Sequence, residues 1–143
     1  MAFVVRGLYN VEEDFKKLAS TPDRVYDNML TAASEVMVAE TSKQAQTMLQ
    51  GPYYTGDLAS HIKRGKMRKN AKNGRYTDIL FVGNVVDKHH PNGERRATIA
   101  YINEYGKRKQ PARPFISVAI DQGSVPAVDA AAEIYYEYLN KGE

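Results

Sequence analysis

Between Thr21-Pro22-Asp23 and Gly51-Pro52 the chain carries the start and stop signals of one long helix. Thr21 has a side-chain oxygen able to cap, Pro22 presets the backbone angle of a first helical residue, and Asp23 complements the positive end of the helix dipole. Val25, Met29, Ala32, Val36 and Ala39 recur three and four residues apart, which predicts a stripe facing a core. Alanine and methionine on that stripe fit close packing of a small-residue helix against a sheet, rather than a cofactor groove. Gly51-Pro52 ends the helix near Gln50.

Shorter elements are expected around it. Phe3 to Leu8 reads as a short strand, and Asn10 followed by Glu13 as the capped start of a helix through about Ala19, with Phe15 and Leu18 on its apolar side. After the long helix, Tyr53-Tyr54-Thr55-Gly56-Asp57-Leu58 reads as a turn into a short helix or strand ending near Ile62. Asn70 to Gly74 is polar, which makes residues 63–75 a flexible exposed loop or a hairpin. Tyr76 to Val86 clusters β-formers before Gly83-Asn84, and Ala97 to Ile102 supplies the next strand, antiparallel across residues 87–95. An aromatic strand ending Glu104-Tyr105-Gly106 breaks into the basic turn Lys107-Arg108-Lys109-Gln110. Pro114 then opens a helix with Phe115, Val118 and Ala119. Gly123-Ser124 interrupts it, and a second piece from Ser124-Val125-Pro126 carries the stripe Val128, Ala132, Tyr135 and Leu139. The expected class is α+β: a small, mainly antiparallel sheet packed against one long helix and a C-terminal helix.

A chain of 143 residues, 43% hydrophobic and 26% charged, is the size of one domain, residues 1–143. It lacks a run of about 18 apolar residues, and Met1 to Arg6 lacks the charged start and apolar run of a secretory signal, so a cytoplasmic protein off the membrane is expected. Without cysteine, disulfides and thiolate chemistry are excluded, and stability has to come from packing or partner subunits. The net charge of +3 is unevenly spread. Lys63, Arg64, Lys66, Arg68, Lys69, Lys72 and Arg75 follow one another with no acid among them, whereas from Asp121 onward Asp129, Glu133, Glu137 and Glu143 face Lys141 alone. Opposite poles suit head-to-tail contact, and a solvated loop and helix face explain them equally well.

Catalytic signals are weak. His89-His90 with Asp87 and Glu94 offers metal-ligand atoms, but neighbouring side chains of an extended segment diverge and His61 is remote in sequence. Glu104 could serve as an acid or base, yet no paired group is apparent, and a salt bridge to Arg113 or to the turn Lys107 to Lys109 is the commoner arrangement. Phosphate-binding glycine loops, the Gly-x-Ser-x-Gly elbow and His-Glu-x-x-His are absent. No catalytic activity, cofactor or metal is expected. The basic segment 63–75 could instead neutralise DNA phosphates without reading sequence, although Met67 within it and Tyr76 just after it are its only large stacking or wedge groups.

Two motifs taken in order carry a resemblance. Thr55-Gly56-Asp57-Leu58 follows the long helix, and Glu104-Tyr105-Gly106 precedes Pro111-Ala112-Arg113-Pro114-Phe115. This order, with Val5-Arg6-Gly7-Leu8 before it and Ile79 to Val82 between, resembles the tail-component family of long-tailed bacteriophages. Those proteins show a Thr-Gly-x-Leu turn, then Glu-x-Gly and Pro-x-x-Pro-Phe; Lys107 departs from the threonine often found after that glycine. The resemblance implies a virion protein, assembled in the bacterial cytoplasm, that completes the tail or joins it to the head. It further implies a ring of copies, hexameric on assembly, touching head-tail connector, tail terminator or tail tube proteins, with DNA possible in the channel. The motif residues would hold turns and helix starts, and the basic segment would dock on an acidic neighbour or face DNA.

Overall fold

The computed structural model describes residues 16, 18–51, 55–72 and 74–141, and the expected strand at Phe3 to Leu8 and cap at Asn10 and Glu13 lie outside them. Residues 18–20 are helical, and the N–H of Thr21 bonds back to the Leu18 carbonyl at 3.2 Å. Helix α1 then runs Asp23–Met48. Pro22, rather than Thr21, sits at the cap, with extended backbone and no capping side chain, and its carbonyl accepts the Val25 N–H at 3.0 Å. The hydroxyls of Thr31, Thr41 and Thr47 bond the carbonyls four residues back at 2.8, 2.7 and 2.9 Å. That is how a helix rich in hydroxyls buries Thr41 without leaving an orphaned donor.

The fold is α+β, and among the described residues the strands form three two-stranded antiparallel ladders instead of one sheet. After a 3-10 turn at Ala59–His61, β1 (Ile62–Arg64) pairs with β4 (Ile79–Phe81), setting Ile62 opposite Phe81. Between them β2 (Arg68–Asn70) and β3 (Gly74–Tyr76) form a hairpin, so the basic segment is paired strand for most of its length. The ladder of β5 (Asn84–Val85) and β6 (Glu94–Arg95) closes the connection across residues 87–95.

The helices depart from expectation in three ways. The strand expected at Ala97 to Ile102 is a helix, α2 (Arg96–Tyr105). Ala100 and Glu104 point inward and Tyr101 and Tyr105 outward, each pair four residues apart, a spacing that suits a helix and not a strand. The helix ends at Gly106, whose N–H bonds the Ile102 carbonyl at 2.7 Å. Secondly, Gly123-Ser124 does not break the last helix: α3 is continuous over Phe115–Lys141 with Pro126 inside it. A Cβ on Gly123 would stand 2.8 Å from the Met37 sulfur, so this glycine lets α3 approach α1 closely.

Thirdly, the buried stripes differ from those expected. On α1 the buried residues are Val25, Ser34, Thr41 and Ala45, while Ala39 is exposed. On α3 they are Phe115, Ala119, Gly123 and Ala127, while Val128 and Leu139 are exposed. The main packing is therefore α1 on α3 through small side chains, and beyond Phe115 that close crossing leaves Val125, Val128 and Tyr136 of α3 outside. The core collects where helices and ladders meet: Ala45, Ala59, Ala100 and Phe115 are buried, with Leu58, Phe81 and Ile116 packed on them. Phe115 is fully buried and meets Phe81 edge-to-face, ring centroids 5.8 Å apart.

Candidate functional site

The two sequence motifs, far apart in the chain, meet around Phe115. In the first, the Thr55 hydroxyl accepts the Asp57 N–H at 3.2 Å, and Gly56 takes a positive φ of 75°. The Gly56 carbonyl accepts the Ser60 N–H at 3.2 Å, and Leu58 reaches the core. Asp57 holds Arg96 at the start of α2 with two bonds, Nε to Oδ2 at 2.8 Å and Nη2 to Oδ1 at 3.0 Å. Nη1 of the same guanidinium donates to the Val82 carbonyl at 3.0 Å, tying the turn, the end of β4 and α2 together. The Arg96 hydrogen bond is the largest influence on Asp57 and, against partial burial, holds its carboxyl below the ordinary value.

In the second motif Glu104 makes neither of the expected bridges. Its buried carboxylate accepts the N–H of Ile116 at 2.7 Å, the N–H of Ser117 at 3.1 Å and the Ser117 hydroxyl. It thus caps α3 from outside that helix and puts a negative charge at its positive end. Arg113 turns elsewhere, its Nη1 donating to the Gln50 carbonyl at 3.2 Å near the end of α1. Gly106, at φ 78° and ψ 177°, occupies a region open only to glycine, and a Cβ there would lie 2.8 Å from the Gln110 carbonyl and the Ala112 nitrogen. The basic turn closes on itself, Lys107 and Gln110 exchanging N–H to carbonyl bonds of 2.9 Å each way. Pro111 and Pro114 are exposed, and Pro114 directly precedes α3.

A cleft of about 440 Å3 opens beside this junction, lined among others by Asp57, Leu58, Asp87, His90, Asn103 and Arg113. Asp87 is already engaged there, accepting the N–H of His89 at 2.9 Å and of His90 at 2.8 Å and facing the His90 ring at 3.2 Å. Burial works against its ionisation, and these hydrogen bonds prevail, holding the carboxyl below the ordinary value. His61 turns to Asp57 instead, Nδ1 lying 2.7 Å from its carbonyl oxygen. Among the described residues no three histidine or carboxylate side chains gather as a metal set.

The basic residues divide. Lys63, Arg64, Lys66, Arg68, Lys69 and Lys72 are exposed along β1 and the hairpin. Arg75 is not available to a partner as expected: it bonds Asp27 through Nη2 at 2.6 Å and Nε at 2.8 Å and approaches Asp23 at 3.4 Å, anchoring the hairpin to α1. Sequence reasoning missed Arg96 as the partner of Asp57, because 39 residues separate them and nothing local marks the pair. It also missed the capping role of Glu104, which Tyr105-Gly106 signals once read as a helix end. Comparison with protein-family models, curated proteins and solved structures gave no match.

Proposed function

We propose that this chain is a structural assembly protein of a tailed bacteriophage or prophage, which completes the tail or joins it to the head as one of a ring of copies. The supporting observation is the convergence of the two motifs: Leu58 and Phe115 share one core, and Asp57 and Glu104 each bind backbone or a cation that fixes a neighbouring element. Residues so used hold a shape that other subunits can read. In this reading the protein is assembled in the host cytoplasm, ends in the neck region of the virion, and touches connector, terminator or tube proteins. No described helix is long and apolar enough to cross a membrane. The test is electron microscopy of lysates from a phage or prophage lacking this gene, with complementation. Filled heads beside separate or overlong tails are expected; normal infectious particles would reject the role.

The exposed cations of the hairpin favour a second reading, sequence-independent DNA binding. Filter binding to duplex DNA across a salt series separates the two. Tight binding near physiological salt with a steep salt slope would promote the DNA reading, and micromolar or weaker binding would leave assembly in place.

A further inference from the structure

The outward side of α3 is apolar where a helix of a lone subunit would be polar. Val125, Val128 and Tyr136 are 69%, 66% and 61% exposed, and Leu139 continues the row at helical spacing, on the side opposite buried Gly123 and Ala127. Asp121 stands at one end of that row, and Asp129 and Glu133 flank it, all exposed. The complementary surface is the β2–β3 hairpin, where Lys66, Arg68, Lys69 and Lys72 are exposed around half-buried Met67. Arg75 fixes this hairpin to Asp27 of α1, and the apolar row faces away from α1, so the two surfaces cannot meet within one copy.

We infer that the outward face of α3 docks the basic β2–β3 hairpin of a second copy of this chain, head to tail. The inference rests on the proposed ring of copies and names the contact that builds it. An apolar row gives the contact its core, and opposite charges around it set register and orientation. The two patches differ, so the contact is heterologous and continues from copy to copy until a ring closes.

The test uses the purified full chain in light scattering after size exclusion, at low and high ionic strength, in three forms. These are wild type, a hairpin variant with Lys66→Glu, Arg68→Glu and Lys69→Glu, and a face variant with Asp121→Lys, Asp129→Lys and Glu133→Lys. Wild type should associate with concentration, more strongly at low salt. Each variant alone should lose roughly tenfold or more in self-association while keeping its helical circular dichroism. An equimolar mixture of the two should associate again, because each supplies the surface the other lacks. Wild type that stays monomeric at every concentration, variants that associate as well as wild type, or a mixture that stays apart would each overturn the inference. None of these results bears on the tail role itself, which gene deletion decides: separated heads and tails alongside a monomeric wild type would mean that copies meet through another surface.

Discussion

Glu104 lies in the last turn of one helix and caps the start of the next, and Asp57 grips the first residue of α2; both carboxylates act on helix starts. Replacing Glu104 by alanine would leave the N–H groups of Ile116 and Ser117 without an acceptor inside the fold. A loss of about 2 kcal/mol is expected from the missing cap and its charge, seen as a melting temperature lower by about 8 °C. Melting alongside wild type would refute the capping role. For Asp57 the sign follows from its lowered folded value: the unfolded carboxyl, near the ordinary 3.8, takes up protons first as pH falls. The Arg96 pair therefore stabilises above that value and is lost as pH drops through the folded one. The gap in melting temperature between wild type and Asp57→Asn should be widest near neutral pH and close below about pH 4; a gap independent of pH would contradict the pairing. At this scale the sequence was partly legible. Gly56, Gly106 and Phe115 carry their roles in their chemistry, since turns need positive φ and a large aromatic after proline needs a core. The partner of a carboxylate is a matter of tertiary distance, and local pattern holds no record of it.

Among the elements, α1 was readable from its proline start and glycine-proline stop, and it runs close to the expected limits. Helices α2 and α3 depart from their sequence patterns for opposite reasons. In α2 the β-branched and aromatic run Thr98-Ile99-Ala100-Tyr101-Ile102 suggests a strand by propensity, and packing at a four-residue spacing overrides it. In α3 glycine and proline suggest a break, yet Gly123 sits at the close α1 crossing and Pro126 lies on the exposed side. That crossing makes a prediction of its own. Gly123→Leu would drive a branched side chain into Met37 and Glu40 and should cost about 1–3 kcal/mol. Gly123→Ala should stay close to wild type, because its better helix propensity, about 1 kcal/mol, opposes a contact that the flexible end of Met37 can relieve. Denaturant titration of both variants checks this. Equal stability of the leucine variant and wild type would show that the helices do not approach so closely.

Among the described residues a basic pole lies on the hairpin and an acidic one on the outer face of α3, with Arg75 removed from the basic pole by its pairing with Asp27. The sequence displayed both poles but not their geometry, since only the folded chain shows that α1 lies beneath both and that each faces outward. A gene copy carrying Lys66→Glu, Arg68→Glu and Lys69→Glu should fail to complement the deletion while its product remains folded. Two readings explain that failure equally: a lost contact between copies, or a lost contact with DNA. Adding Asp121→Lys, Asp129→Lys and Glu133→Lys to the same chain separates them. If hairpin meets α3, the doubly reversed chain has opposite charges in contact once more, and infectious particles should return in part. If the hairpin meets phosphate, its glutamates still repel the backbone whatever stands on α3, and no particles return. Rescue therefore argues for contact between copies by charge logic alone, whichever neighbours the ring goes on to touch.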